Sequence, residues 1–456
     1  MNYEEAVAYI EETPKFTTKN KLEHTKECLR RLGNPQKQFQ VVHVAGTNGK
    51  GSTCAFLTSV FREAGYSCGL FTSPHLVVIN ERFQINEKNI DNDTFLRAFE
   101  KVKKLADELV AEGSYHPTYF EFLFLMGMVI FADANVDYVI LETGLGGRLD
   151  ATTAVEEPSA CVITSISFDH MQYLGNTIEA IAGEKAGIIV PGVPVIYDGN
   201  NPAAAGVIRA RAQELGSPYF EVKREDTKII RNTRAGIDFS YENEYYGNTV
   251  FTLPFIAEYQ VMNSSLALKT IEVLKDQVKI PVEAVRKGLL ETRWQGRMET
   301  VLPGVIVDGA HNEDAAQKLR MSMERYFPGR RLILILGVFK DKEYEKIASI
   351  LCPLAQQVYT VDLPNVERTL PAEKLAECAK KYCRQTAAAG RIEDAVEKAM
   401  KAAERAGQRT ADSEASAADG EPVILACGSL SYLGDVIRLV EKSYGTRTRG
   451  TGKEEK

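Results

Sequence analysis

Short apolar runs alternate with amphipathic stretches along most of the chain. FQVVHVA (39–45) is a continuous apolar run of strand length. KGSTCAFLTSVFREA follows, with Phe56, Leu57, Val60, Phe61 and Ala64 at helical spacing and Gly65 where a helix end favours glycine. Runs at 68–72, 136–142, 160–166 and 193–198 read as further strands, and 118–134 and 177–189 as helices. This alternation predicts an α/β fold with a mostly parallel sheet. From 218 to 256 the period shortens to two, as in IDFSYENEYYGNTVFTL. That segment predicts a small antiparallel region with Tyr246-Gly247-Asn248 as a turn. Helices are expected at 260–276 and 281–291. After Trp294 the strand–helix rhythm restarts with GVIVDGAHN, RLILILGVF, QQVYTVDL and PVILACGSLSYLGDVIRLVEK. The reading is therefore a first domain over 1–297, a smaller Rossmann-like α/β domain over 298–445 and a disordered tail over 446–456. Residues 406–421 read as a loose polar loop.

Composition narrows the class. The chain has 456 residues, 44% of them hydrophobic and 26% charged, which suits a globular protein of two or more domains. A net charge of −7 argues against nucleic acid as a partner. The eight cysteines form no CxxC pair, and several sit in apolar runs as buried thiols do. The start, MNYEEAVAYIEE, has no apolar core of a signal peptide. The longest apolar run, Phe122 to Ala132, is shorter than the roughly 20 residues a bilayer needs, so it reads as a buried helix. A cytoplasmic, membrane-free, monomeric protein is expected.

The chemistry-bearing residues cluster after strands. Gly46, Thr47, Asn48, Gly49, Lys50, Gly51, Ser52 and Thr53 lie between a strand and a helix. There, backbone N–H groups and the helix N-terminus can cradle a phosphate, a lysine can reach it, and a hydroxyl can serve Mg²⁺. The spacing is shorter than GxxxxGK[ST], since Ala45 stands where the first glycine would. Glu142 ends an apolar strand before a glycine-rich loop, where open α/β sheets bind ligands, and it can hold a metal. Asp169 and His170 follow another strand, although an imidazole is softer than Mg²⁺ prefers. TSPHLVVINERFQIN brings Ser73, Asn80, Glu81 and Arg82 into an otherwise apolar loop. Lys185 lies on an apolar helix and by itself reads as a surface lysine. Asn263 stands near the start of a helix and could be its cap. Arg297, Asp308 and His311 flank the domain boundary.

HVAGTNGKGST, TSPHL with NER, LETGLGGRLDAT, DH, GEKAGI, NSSLAL, WxGRxE, DGAHN and GSLSYLG, in this order, resemble the folylpolyglutamate synthase and dihydrofolate synthase family of the Mur ligase superfamily. The resemblance implies an N-terminal P-loop ATPase-like domain that binds ATP and folate, and a C-terminal domain for glutamate ligation. It implies that residues 46–53, Asn263, Arg297 and Asp308 bind ATP, with Lys50 on the triphosphate and Asp308 on the ribose. Ser52, Ser73, Glu142 and His170 would ligate Mg²⁺. Lys185 would be carbamylated and help hold a second Mg²⁺, and Lys50, Lys185 and His311 would serve catalysis. Ser73, Pro74, His75, Arg82, Thr118, Phe120 and Glu121 would line the folate site. Three positions depart from the family's pattern: Gln295 and Glu313 stand in place of prolines, and Thr153 in place of an asparagine.

The implied reaction joins L-glutamate to a folate, or to dihydropteroate, through an acyl phosphate made from ATP. One rival is a peptidoglycan-precursor ligase of the same superfamily. The TSPHL and NER motifs and the lack of a long UDP-sugar domain speak against it. A second rival is a P-loop protein that binds ATP without ligating anything. A dinucleotide-dependent oxidoreductase is excluded by the absence of GxGxxG at the start of either domain.

Overall fold

The computed structural model describes residues 1–14, 21–411 and 421–448. The chain divides into two compact units. One comprises Met1–Ser167, Met171–Pro254 and Glu258–Arg293; the other runs from Trp294 onward and includes Phe168–His170 and Phe255–Ala257.

In the first unit, eight strands among the described residues form one sheet. From one edge its order is Lys88–Asn89, Phe83–Ile85, Cys68–Phe71, Tyr138–Glu142, Gln40–Ala45, Ala160–Ile163, Val195–Asp198 and Tyr219–Val222. The last six are mutually parallel, and the first two add an antiparallel edge. The central strands read as unbroken apolar runs because both faces of the sheet are covered. Helix Tyr119–Asp133 is apolar around its whole circumference because Phe122–Ala132 are all buried. Helices Ile178–Ala186 and Pro202–Glu214 contribute to a second apolar cluster with Cys161, Ile163, Val195 and Tyr197. Helix Lys50–Glu63 is buried from Gly51 to Phe61. Gly288, on helix Val282–Glu291, permits a close helix–helix approach, since a Cβ there would lie 2.6 Å from Val60 Cα.

The period-two segment is only partly antiparallel. Tyr219–Val222 pairs parallel with Val195–Asp198, as the edge of the main sheet. A separate three-stranded antiparallel sheet holds Thr227–Thr233, Gly236–Tyr241 and Val250–Leu253. Alternation reports a half-buried strand but not its partner's direction, so the pattern at 219–222 misled. Helices Tyr3–Glu12, Leu22–Arg31, Asn92–Ala111 and Pro202–Glu214 were not foreseen.

The second unit carries a six-stranded sheet in the order Glu299–Leu302, Val305–Val307, Val423–Cys427, Leu332–Leu336, Ala355–Val361 and Thr386–Gly390. Only the first pair is antiparallel. Helix Ile392–Ala411 occupies the start of the segment read as a loose loop, whose residues 412–420 lie outside the described residues. The last helix, Leu433–Thr448, runs into the segment read as a tail, and 449–456 lie outside the described residues. No helix among the described residues is long and apolar enough to cross a membrane.

Candidate nucleotide and folate site

Strand Gln40–Ala45 lies between Tyr138–Glu142 and Ala160–Ile163, so the loops after all three leave the same edge of the sheet. The helix that follows Gln40–Ala45 leads to a strand on one side, while Ala160–Ile163 lies on the other. Such a switch point opens a crevice at the carboxyl ends of the strands.

The loop after Gln40–Ala45 is tied to the segment after Ala160–Ile163. Thr47 N donates to Ser165 O at 2.8 Å, Thr47 Oγ1 to Ser167 O at 3.2 Å, and Asn48 Nδ2 to Ser167 Oγ at 3.3 Å. Two glycines are obligatory there. Gly46 has φ +146° and a Cβ on it would sit 1.8 Å from Thr164 Oγ1; Gly49 has φ +93° and a Cβ on it would sit 2.2 Å from Asn263 Oδ1. Helix Lys50–Glu63 begins directly after Gly49, so its first N–H groups face the crevice. Lys50 Nζ lies 3.3 Å from Thr47 O and 4.0 Å from Glu142 Oε1. Ser52 is 2% exposed, and its Oγ has no hydrogen-bond partner among the described residues. A buried hydroxyl in that condition is costly unless a ligand completes it.

Glu142 is buried and accepts Ser73 N at 3.1 Å through Oε2. Lys185 is also buried, so its reading as a surface lysine fails; its Nζ donates to Gly46 O at 2.7 Å. The unit thus gathers Lys50, Ser52, Ser73, Glu142 and Lys185 around the glycine loop. Hydroxyl and carboxylate oxygens are the hard donors that Mg²⁺ takes, and the orphaned Ser52 Oγ fits that demand. Asn263 is no cap, because helix Tyr259–Val273 starts four residues earlier; its Nδ2 donates to Gln260 Oε1 at 2.9 Å and its backbone carbonyl accepts Thr53 Oγ1 at 3.3 Å.

In the loop that the resemblance assigns to folate, the Ser73–Pro74 peptide is cis. Arg82 is buried, donates from Nε to His75 Nδ1 at 2.9 Å and stacks 5.6 Å from the Tyr119 ring centre. Its burial pushes the guanidinium pKa down. Thr118 and Glu121 form a reciprocal cap on helix Tyr119–Asp133, with Thr118 N on Glu121 Oε2 at 2.7 Å. Phe120 packs against the loop after Glu142, where a Cβ on Gly144 would lie 2.6 Å from its ring.

In the second unit, Asp308 accepts Met298 N and Ala310 N, each at 2.8 Å and each on a different oxygen. Arg297 Nη1 donates to Gly296 O at 2.9 Å, and His311 Nδ1 to Gly309 O at 2.8 Å. Residues 168–170 group with this unit. His170 has φ +50°, and Asp169 receives Lys342 Nζ, Asn312 Nδ2 at 3.3 Å and His311 Nε2 at 3.3 Å. Burial pushes the Asp169 carboxyl pKa up, but the His311 hydrogen bond and the charges of His311, Lys342 and His170 hold it far below the usual range.

Several residues of this region were not singled out from sequence. Asp150 accepts Gly144 N at 3.0 Å, Leu145 N at 2.8 Å and Thr152 Oγ1 at 2.6 Å, shaping the loop after Glu142. Thr152 in turn meets His43 Nε2 at 2.8 Å. Burial raises the Asp150 pKa and pushes the His43 imidazole down to about 3. The sequence signals were weak ones: a histidine inside VVHVA and an Asp-x-Thr turn.

A glycine loop, a lysine and a helix N-terminus at the carboxyl edge of a parallel sheet define a nucleotide-binding α/β protein. Residues 44–271 match the family model of the Mur ligase middle domain, and residues 296–411 that of the Mur ligase glutamate ligase domain. The dihydrofolate synthase/folylpolyglutamate synthase of Bacillus subtilis is 38% identical over 80% of this chain and 86% of its own length. The folylpolyglutamate synthase of Lacticaseibacillus casei is 33% identical over 86% of this chain and 94% of its own. Among solved structures, Mycobacterium tuberculosis folylpolyglutamate synthase complexed with ADP superposes with a TM-score of 0.86 at 27% identity, covering 96% of this chain and 98% of that one. E. coli FolC in complex with DHPP and ADP gives 0.81 at 28% identity, covering 97% and 98%. The chain belongs to the folylpolyglutamate/dihydrofolate synthase family of the Mur ligase superfamily.

Proposed function

We propose that the chain ligates L-glutamate to a folate at the expense of ATP, and that dihydropteroate is a second acceptor. The observation that carries the reading is the glycine loop. Its helix N-terminus, Lys50 and the partnerless Ser52 Oγ stand beside Glu142 at the carboxyl edge of the sheet. The substrate carboxylate attacks the γ-phosphorus of ATP, and the bond to ADP breaks. The amine of glutamate then attacks the acyl carbon, and phosphate leaves as the amide forms. Lys50 and the N–H groups of residues 49–52 hold the triphosphate in line with the carboxylate, and positioning supplies much of the rate.

Ser52, Ser73 and Glu142 are the groups we assign to Mg²⁺, together with a carbamate on Lys185; for His170, which groups with the second unit, a metal role rests on resemblance to the family alone. The metal would neutralise charge on the β- and γ-phosphate oxygens. A carbamylated Lys185 keeps one N–H, so it can retain its bond to Gly46 O while presenting a carboxylate. Arg297, Asp308 and Asn263 are assigned to the nucleotide and His311 to catalysis by resemblance to the family. We assign the protein to the cytoplasm as a monomer; its eight cysteines are buried and free.

The test is ADP release, with dihydropteroate and tetrahydrofolate assayed side by side. Release that requires both an acceptor and glutamate is expected. Release from ATP and water alone would make this a nucleotide-hydrolysing protein.

A further inference from the structure

The Asn80-Glu81-Arg82 segment ends the 72–82 loop. The loop closes at its base through Thr72 N on Arg82 O at 3.2 Å. Inside it, one carboxylate takes three successive backbone donors. Glu81 Oε2 accepts Leu76 N at 2.7 Å, and Oε1 accepts Val77 N and Val78 N, each at 2.9 Å. These N–H groups point inward, away from any strand partner, and an acceptor-only group is what satisfies them together. Arg82 then fixes the side chain of His75, and Glu142 fixes the loop's first amide at Ser73. Asn80 anchors the outside, donating to Ile90 O and Asn92 Oδ1 at 3.0 Å each and accepting Tyr3 OH at 2.7 Å.

We propose that Glu81 is a positioning residue for the folate-side substrate: it touches no reactant but holds residues 73–78 in the shape that substrate meets. This rests on the folate reading above for its ligand, but not for its geometry. The carboxylate is the only form of this side chain that suits all three donors. A glutamine at 81 offers one acceptor oxygen and one donor nitrogen, so at least one of Leu76, Val77 and Val78 would face an N–H instead of an oxygen. An aspartate is one methylene too short to reach all three. The loop would loosen without exposing the apolar core, since Val78 is already exposed at 43%. Among the described residues the glycine loop makes no hydrogen bond to Glu81, and Ser73 N is held separately by Glu142, so ADP affinity measured without metal should be retained.

The experiment compares wild type with Glu81→Gln and Glu81→Asp. The readouts are steady-state kinetics with tetrahydrofolate, metal-free ADP affinity by calorimetry, and hydrogen exchange at 76–78. The expected result is a rise of roughly tenfold or more in KM for the folate, with kcat falling less. ADP affinity should stay within about twofold, and the three amides should exchange faster in Glu81→Gln. An unchanged folate KM with faster exchange would overturn the positioning role. Unchanged exchange would overturn the hydrogen-bonded geometry itself. An equal loss of ADP affinity would also overturn it, by marking a general structural defect. If wild type itself shows no folate-dependent turnover, it is the functional reading that fails, and the exchange data still judge the loop.

Discussion

The glycine loop at 46–53 and the loop at 72–82 leave the same edge of the first unit's sheet but satisfy their polar groups in opposite ways. In the first, polar groups are left incompletely satisfied: the start of a helix, a Lys50 amine held by one carbonyl at 3.3 Å, and a buried Ser52 Oγ without a partner among the described residues. In the second, each charged group has a partner inside the loop, Glu81 on three amides and Arg82 on His75. The difference teaches where ligand energy enters. In the proposed function, phosphate and metal would complete the glycine loop, so its residues would act by direct contact. The other loop is complete before substrate arrives, so most of its polar residues act by holding shape.

The largest expected effect breaks the contact side. Lys50→Ala should lower kcat by on the order of 10²–10³-fold, as loss of a charged contact to a reacting phosphate does. Its melting temperature should stay close to wild type, because the amine's protein contacts are a 3.3 Å carbonyl and a 4.0 Å carboxylate. Scanning calorimetry beside the assay checks both halves; a collapsed fold would make the lysine structural.

Ser52→Ala sharpens the contrast, because activity and stability should move in opposite directions. Turnover should drop by roughly 10–100-fold, and its Mg²⁺ requirement should shift upward. The ligand-free protein should become more stable by about 1 kcal/mol, since an unsatisfied buried hydroxyl is removed. Urea denaturation without nucleotide reads the second effect. A destabilised variant would mean that the hydroxyl already has a partner.

Asn80→Ala should do the reverse. It removes three hydrogen bonds around the loop and should cost about 1–3 kcal/mol in stability. Activity per folded molecule should change less than it does in Ser52→Ala, and a comparison of kcat at equal folded fraction decides this.

The smallest effect at neutral pH concerns His43. Burial holds its pKa at about 3, against roughly 6.5 in an unfolded chain. The unfolded state therefore takes up the proton first as pH falls. The stability tied to the neutral imidazole is complete above pH 6.5 and is lost progressively toward pH 3. His43→Asn should flatten the fall in urea midpoint between pH 7 and pH 4.5. An unchanged slope would assign acid sensitivity to other groups.

What the sequence made legible follows the same division. The phosphate loop could be read because its chemistry is local: glycine, lysine and hydroxyl must be neighbours between a strand and a helix. The α/β alternation and the buried helix at 119–133 were legible for a similar reason, since periodicity and length are properties of a single segment. Glu81 and Asp150 were not legible as scaffolding, because their partners are backbone N–H groups, which every residue but proline has. Asn263 was misjudged as a possible cap because the helix begins at Tyr259, within a stretch whose apolar spacing is weak. Lys185 could not be distinguished from a surface lysine without the fold that carries its amine to Gly46. Lys342, the partner of Asp169, lies in a polar segment with no local signal.

The central claim is that ATP activates a substrate carboxylate in this protein, and isotope transfer tests it most directly. With ¹⁸O in the acceptor carboxylate, the acyl-phosphate route carries one labelled oxygen into inorganic phosphate for each amide formed. Phosphate that contains label in proportion to ligated product is the result this account predicts. Unlabelled phosphate released alongside ADP, with its oxygen drawn from water, would contradict it.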